Sequence, residues 1–286
     1  LDMIGGPKQY VVPLFQRHYA WRKEQWSTLW NDLAYLCEND TPRSHFIGSM
    51  VTVPIVLGPD GIGKYMLIDG QQRLVTIFIL LALLRDIARK QGNSLLSEEI
   101  HQTMLINPYR TGNDQFKVIP MGDDRGAFQN LMVADLGSGQ GTLYDCYAFF
   151  ERKLVQNSGL DIIKLKNAII SRLSVVSIVL GAEDNPYLVF ESLNAKGLEL
   201  THADLIRNHF FMRISVDHQE SVYERYWKPM EIALGENLTE CIRHYLMRTG
   251  EIIRQGDVYF VLKERIGRSD ALASLREIGQ YAGYYQ

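Results

Sequence analysis

The chain has 286 residues, of which 46% are hydrophobic and 22% are charged, a composition typical of a folded globular protein rather than of a disordered one. Its formal net charge of −3 excludes a uniformly cationic nucleic-acid coat, although a local basic groove remains compatible with it. The three cysteines are far apart and form no Cys-x-x-Cys pair, which argues against a disulfide scaffold or a zinc knuckle and favours reduced thiols in a cytoplasmic protein.

The first 90 residues predict a small sheet and two helices. Runs rich in β-branched and aromatic residues, bounded by glycine or proline, predict strands over 9–14, 46–53 and 65–68. From Glu24 onward, apolar residues recur every three or four positions and predict an amphipathic helix (Trp26, Leu29, Trp30, Leu33 and Leu36). A second, buried helix is predicted over 72–90, and its apolar core is shorter than the roughly 20 residues that a membrane span needs.

The remaining chain is predicted to be mostly helical. Helices are expected at 124–133, 142–157 and 160–173, with short strands at 116–119 and 174–180 and a further helix opened by a capping box at Thr201. The glycine-rich segment 137–141 predicts a boundary between an α+β core at 1–136 and a mainly helical lobe at 137–286. The predicted fold class is therefore α+β, a small mixed sheet with flanking helices followed by a largely helical lobe that returns one strand and one loop to the core.

Five polar residues, Asp69-Gly70-Gln71-Gln72-Arg73, separate an apolar strand from an apolar helix. Asp69 is expected to cap the helix, and Gly70 allows a tight turn or a close approach to a ligand. The amides of a first helical turn favour an anion, and the guanidinium of Arg73 suits phosphate oxygens. The alternative is a capped helix whose arginine pairs with a surface carboxylate.

A second segment, 16–23, interleaves cations with aromatic residues. Arg17, Arg22 and Lys23 can bind phosphates, whereas Tyr19 and Trp21 can stack on bases. The alternative is that the aromatic rings are core anchors and that the cations are solvated in a loop.

A third segment, 190–204, contains Asn194, Lys196 and Asp204. It is explained either as a helix–loop–helix with good caps or as a loop that brings these three side chains to the mouth of a pocket. The seven histidines form no His-Glu-x-x-His pair, and no Gly-x-Ser-x-Gly elbow occurs, so neither a metal site of that type nor a serine hydrolase is indicated.

Together, the three segments resemble the DGQQR-motif domain of prokaryotic defence proteins, over about residues 10–211. The family's early Pro-x-x-Gln-Arg-x-Tyr-x-Trp pattern is matched at Pro13, Gln16, Arg17, Tyr19 and Trp21. Its Phe-hydrophobic-Gly-Ser strand is matched by Phe46-Ile47-Gly48-Ser49, and its Ser-Leu-Asn-x-x-Gly pattern begins at Ser192.

The resemblance implies a ParB/sulfiredoxin-like core, nucleoside-triphosphate hydrolysis at the DGQQR segment and a part in antiviral defence. Similar proteins include the GmrS part of GmrSD restriction enzymes, which act on modified DNA, and SspE-type effectors linked to DNA phosphorothioation. An HNH nuclease domain or a partner subunit is expected to complete the system, because nothing after Phe211 resembles such a nuclease site.

Roles for individual residues follow from combining the motifs with this resemblance. Arg73 and the first-turn amides would bind phosphate oxygens, Gln71 or Gln72 would orient the attacking water, and Asp69 would hold hydrated Mg²⁺ or that water. Expected nucleotide contacts are Gly70, Gln16, Arg17, Asn194, Lys196 and Asp204. Expected DNA contacts are Arg17, Tyr19, Trp21, Arg22 and Lys23.

Two other functions remain open on this sequence. In the first, the chain is a non-enzymatic DNA-binding module that is switched by a nucleotide. In the second, it is a ParB-like nuclease that acts through the same pocket. The favoured prediction is a cytoplasmic, nucleotide-hydrolysing domain of a restriction effector that senses modified DNA.

Overall fold

The computed structural model describes residues 3–14, 16–38, 44–55, 61–122, 124–135, 137, 139–157, 159–181, 184, 189, 201–214, 216–266 and 270–285. The chain divides into two compact units, the first formed by 1–13 and 18–184 and the second by 14–17 and 185–286. The division therefore lies near residue 184, whereas the sequence predicted it near 137. Helices that follow the glycine-rich segment pack against the central helix of the first unit, which keeps them in that unit.

The first unit is built on a mixed five-stranded sheet in the order β4-β1-β3-β2-β5. Strand β2 pairs antiparallel with β3, while the β1–β3, β1–β4 and β2–β5 pairs are parallel. The predicted mixed sheet is thus confirmed. Its strands are β1 (Lys8–Val11), β2 (His45–Pro54), β3 (Gly63–Asp69), β4 (Val118–Ile119) and β5 (Leu173–Val179).

Six α-helices accompany this sheet in the described part of the first unit. The central one, α2, is apolar on all sides, and nearly all of its side chains are buried, as such a composition predicts. Helix α1 instead buries one stripe, which includes the tryptophans and leucines expected from their spacing. The six are α1 (Lys23–Glu38), α2 (Gln71–Lys90), α3 (Ser94–Glu99), α4 (Asp124–Val133), α5 (Thr142–Gln156) and α6 (Ile162–Asn167).

A buried arginine ties α2 to its neighbours. Arg85 is fully buried and forms a bidentate pair with Asp86, at 2.8 and 3.1 Å. The same guanidinium donates to the carbonyls of Leu131 and Met132 at the end of α4, and the Tyr147 hydroxyl of α5 donates to Asp86. Because every charge in this network is paired, its burial is tolerated.

The second unit is helical, which confirms the predicted helical region. Its α7 begins with the predicted capping box, in which Thr201 and Asp204 bind each other's backbone amides. Within the described ranges, no helix is long and apolar enough to cross a membrane. The helices are α7 (His202–Phe211), α8 (Val216–Val222), α9 (Lys228–Leu234), α10 (Leu238–Met247), α11 (Val258–Ile266) and α12 (Ala271–Tyr285).

Candidate functional site

The DGQQR segment forms the turn between β3 and α2. Gly70 is the residue before the helix, with φ of 95°, and no side chain caps the helix there, so the predicted capping role of Asp69 is wrong. A Cβ atom at Gly70 would lie 2.6 Å from Cγ of Met50 and 3.2 Å from the carbonyl of Ser49. Both the left-handed backbone and the close approach to β2 therefore require glycine at this position.

Arg73 pairs with the aspartate of its own motif. Its Nη2 donates to Asp69 Oδ2 at 3.2 Å and to the Ser49 carbonyl at 2.5 Å, and the Ser49 hydroxyl donates to the same Asp69 oxygen. The guanidinium lies against Gly48, where a Cβ atom would be 2.8 Å from Nη1. Asp69 and β2 together fix the orientation of the arginine.

Each member of this pair keeps a polar group for a ligand. Among the described residues, Nη1 and Nε of Arg73 have no hydrogen-bond partner, and Nε is buried. An unsatisfied buried donor costs about 1–3 kcal/mol, and a bound anion beside the guanidinium would offset this cost. Both hydrogen bonds of Asp69 to described residues use Oδ2, which leaves Oδ1 available.

Gln72 is fully engaged with the backbone of the preceding loop. Its Oε1 accepts from the amides of Ala20, at 2.7 Å, and Trp21, at 3.2 Å, and its Nε2 donates to the carbonyl of His18. The side chain is 8% exposed. The DGQQR segment therefore lies against residues 18–21, and the amide of Gln72 is not free to orient a water molecule.

Tyr19 is a core residue. It is 4% exposed, and its hydroxyl contacts Thr76, Cys146 and the indole N–H of Trp26, at 2.6, 3.4 and 2.8 Å. Burial raises the pKa of this hydroxyl well above its usual value. The aromatic–cationic pattern could not separate a core ring from an exposed one, and Tyr19 does not present its ring to DNA. The three cysteines are also buried, and none forms a disulfide.

A cavity of about 310 Å³ opens beside Arg73. Small-ligand sites start at about this size. One wall is a single face of α1, because residues spaced three, four and seven apart lie on the same side of a helix. That face contributes Gln25, Thr28, Leu29 and Asp32, and the other walls are Trp21, His45, Phe46, Ile47, Arg73 and Ile77.

Two polar residues of this cavity wall, Asp32 and His45, were not predicted from the sequence. Asp32 Oδ2 and His45 Nε2 lie 3.1 Å apart. Neither residue belongs to a spaced motif, and the only available signal was that Gln25, Thr28 and Asp32 share the face of α1 next to its apolar stripe. Their association depends on tertiary packing that brings the middle of α1 to the start of β2.

The other described residues predicted to contact nucleotide or DNA do not line the cavity beside Arg73. Arg22 and Lys23 are exposed, and Arg22 Nη1 donates to the Thr142 hydroxyl at 2.8 Å. Gln16 and Arg17 belong to the second unit. Asn194 and Lys196 lie outside the described residues.

Asp204, which was expected to bind nucleotide, has a structural role in the second unit. Its Oδ2 accepts from the amide and hydroxyl of Thr201, and its Oδ1 accepts from Arg207 at 2.8 Å. Arg207 is buried and also pairs with Glu231. Both carboxylate oxygens are thus used within the unit.

The described residues hold no group of three or more histidine, cysteine or acidic side chains that could bind a metal ion. Magnesium sites that contain nucleotide usually need only one or two carboxylates, because phosphate oxygens and water complete the coordination. Oδ1 of Asp69 fits one such ligand position. The residues therefore fit Mg²⁺ that arrives with a phosphate, rather than a resident ion held by protein alone.

A family model described as the N-terminal domain of the GmrSD restriction endonuclease matches residues 1–211. The match includes the DGQQR turn, the cavity beside Arg73 and α7. No curated protein matches the chain.

Proposed function

Because the chain belongs to the family of GmrSD restriction endonuclease N-terminal domains, we propose that it hydrolyses a nucleoside triphosphate in the cavity beside Arg73. The family gives the chain a role in a restriction effector, whose substrate is DNA. The observation that carries the nucleotide proposal is the oriented guanidinium of Arg73 on the wall of a ligand-sized cavity, with Nη1 and Nε unpartnered among the described residues.

Phosphoryl transfer requires positioning and charge stabilisation more than covalent chemistry from the protein. In the proposed reaction, water attacks the γ-phosphorus, and the bond from that phosphorus to the bridging oxygen breaks, releasing a nucleoside diphosphate and phosphate. Nη1 of Arg73 donates to γ-phosphate oxygens and stabilises their developing charge. Asp69 and Ser49 hold the guanidinium in place throughout.

Asp69 also supplies the free oxygen of the site. Its Oδ1 would hold the attacking water or a hydrated Mg²⁺, which when bound neutralises charge on the phosphates. Of the two glutamines predicted to orient the water, Gln72 is excluded from that role, because its side-chain oxygen and nitrogen both bind backbone. Gln71 is buried to a similar degree, at 5% exposure. Gly70 lets the nucleotide approach the turn closely.

The test is multiple-turnover phosphate release from nucleoside triphosphates in the presence of Mg²⁺. We expect Arg73→Ala and Asp69→Asn each to lower the rate by on the order of tenfold to a thousandfold, as when one charge-stabilising group is lost. Arg89→Ala is the matched control, because Arg89 is an exposed arginine in the last turn of the same helix. Unchanged turnover in a folded Arg73→Ala variant would refute the proposal.

We further propose that Arg22 and Lys23 contact the DNA backbone, because both are exposed cations next to the cavity residue Trp21. Removing either should flatten the dependence of log affinity on log salt by about one unit, since each phosphate contact releases counterions. Lys164→Ala, an exposed lysine on α6, is the control. Comparing phosphorothioated with plain duplexes tests whether the chain senses that modification.

The same measurements separate the alternatives. A nucleotide-switched module would bind nucleotide without multiple turnover. Plasmid nicking by the 286-residue chain that disappears in Arg73→Ala would favour a nuclease in this pocket, and we expect no such nicking.

A further inference from the structure

A second cavity lies at the other end of the sheet from the DGQQR turn. Its volume is about 360 Å³, and it is lined by residues that directly precede three parallel-paired strands: Pro7 before β1, Ile62 before β3 and Lys117 before β4. The DGQQR turn instead follows β3. At about 3.3 Å per strand residue, the length of β3 places this second cavity roughly 20 Å from that turn.

The second cavity carries positive charge. It is lined by two cations, Arg110 and Lys117, and by no acidic side chain among the described residues. Lys117 is 3% exposed, and burial together with the like charge of Lys8 lowers its pKa to about 8. Its ammonium group donates to three backbone carbonyls, those of Ile4, Gly6 and Thr103. Because a buried ammonium group without a counter-ion is unfavourable, an anion in the cavity would offset its desolvation.

A strained turn presents a tyrosine beside this cavity. The chain turns at Pro108 and Tyr109, and Tyr109 has φ of 66°, a left-handed conformation that bulky residues rarely adopt. Turns that need a positive φ usually have glycine or asparagine at that position. The ring is fully exposed, although Pro108 and Arg110 on either side of it line the cavity. Neither burial nor backbone preference therefore accounts for a tyrosine here.

Asn107 fixes the backbone that leads into this turn. The asparagine is 2% exposed, and its Nδ2 donates to the carbonyls of Lys8, at 3.1 Å, and Asp114, at 3.2 Å. Its own amide donates to the carbonyl of Gln115. Strained residues persist where surrounding contacts fix the backbone, and they are concentrated at binding sites. The turn is thus held in a conformation that keeps the Tyr109 ring in solvent.

An exposed aromatic ring beside cations is the combination that binds unpaired nucleotides. Aromatic side chains stack on bases, and arginine binds the phosphates of the same strand. In an intact duplex both faces of a base are covered by its neighbours, so a protruding ring stacks on a base that is unpaired or flipped out. The volume of the cavity is in the range of small-ligand sites and admits a phosphate with its sugar.

We propose that residues 107–111 and the second cavity bind an unpaired or flipped-out nucleotide of the DNA substrate. Tyr109 stacks on the base, Arg110 binds its phosphate, and the buried charge of Lys117 favours the anion in the cavity. DNA is the nucleic acid concerned because of the family's role in restriction. The site is separate from the contacts proposed for Arg22 and Lys23, and it does not depend on hydrolysis at Arg73.

The experiment measures the affinity of the 286-residue chain for two DNA probes in the absence of nucleoside triphosphate. One probe is a fully paired duplex, and the other is the same duplex with one additional, unpaired 2-aminopurine. The wild-type chain should bind the second probe about fivefold to a hundredfold more tightly, as expected for one stacked base, and should quench its fluorescence. Arg110→Ala should flatten the dependence of log affinity on log salt by about one unit.

Variants of Tyr109 isolate the stacking contact. Tyr109→Gly should abolish both the preference and the quenching with little change in melting temperature, because glycine tolerates the positive φ. Tyr109→Phe should retain both, since stacking needs only the ring. Tyr284→Ala, which removes an exposed tyrosine of the second unit, is the control and should leave the affinities unchanged.

Equal affinity of the wild-type chain for the two probes would overturn the inference. A preference for the unpaired base that survives in Tyr109→Gly would also overturn it, and the exposed ring would then serve a protein partner instead of DNA. Because no nucleoside triphosphate is present, failure of the hydrolysis proposed at Arg73 would leave these results unchanged.

Discussion

Replacing Gln72 by alanine should loosen the loop that carries Trp21. The change removes three hydrogen bonds to the backbone of residues 18–21. Each such bond contributes about 1 kcal/mol net, and amide or carbonyl groups left unpaired in this half-buried loop add to the loss. We therefore expect the free energy of unfolding of the first unit to fall by about 2–4 kcal/mol.

The local assay is amide hydrogen exchange. Exchange at Ala20 and Trp21 should accelerate strongly in Gln72→Ala, because their amides lose their acceptor, while urea unfolding reports the overall loss. Gln102→Ala is a matched control that removes one exposed hydrogen bond, to Glu98, and should change stability by less than about 0.5 kcal/mol.

The predicted effect on turnover is indirect. Trp21 borders the cavity, so a mobile loop should raise KM for nucleotide more than it lowers kcat. A Gln72→Ala variant with wild-type stability and exchange but abolished kcat would refute this reasoning. It would show that Gln72 acts on the reacting water, as the sequence first indicated.

Gly70→Ala should lower the free energy of unfolding by about 2–5 kcal/mol, because it combines left-handed strain with overpacking against β2. Gly92→Ala, at the other end of α2, is the control: its φ is 77° but the space around it is open, so it should cost only about 1–2 kcal/mol. Equal losses in urea unfolding would contradict the close approach of Gly70 to β2. Arg85→Met should destabilise the first unit by about 3–5 kcal/mol, because it leaves a buried aspartate unpaired, and calorimetry that finds no loss would contradict the network. Burial, together with nearby cations, lowers the pKa of His209 to about 4, so between that value and 6.5 the unfolded chain binds a proton that the folded chain does not. Stability of the second unit should therefore fall as pH drops from 6.5 to 4, and His209→Gln should flatten this dependence of melting temperature on pH. If modified DNA and nucleotide bias one equilibrium, each should change the other's affinity by the same factor, and independent titrations would contradict the coupling.

Local patterns were sufficient to predict most elements of the first unit. Helix α4 occupies the predicted 124–133, and α2 begins one residue before its predicted start, because both carry clear apolar patterns between turn residues. The boundary near 137 was misplaced for a physical reason. A glycine-rich segment indicates flexibility, but burial of the apolar face of α5 against α2 decides which unit the following helices join.

The sequence predicted which residue types form the candidate site, but it did not predict which residues contact each other there. The DGQQR segment indicated an arginine near a phosphate, yet the partners of Gln72 lie more than 50 residues away in sequence. Tyr19 matched the pattern for a DNA contact, although its hydroxyl is satisfied in the core. Asp32 and His45 come together only through tertiary packing that brings α1 to the start of β2, for which no spacing rule exists.

A crystal structure of the chain with Mg²⁺ and a non-hydrolysable nucleoside triphosphate analogue would show whether the cavity beside Arg73 binds a nucleotide. Phosphate oxygens should lie within hydrogen-bond distance of Arg73 Nη1, inside the cavity that Trp21 and Phe46 border. A nucleotide bound away from Arg73, or a cavity that stays empty at millimolar analogue, would contradict it.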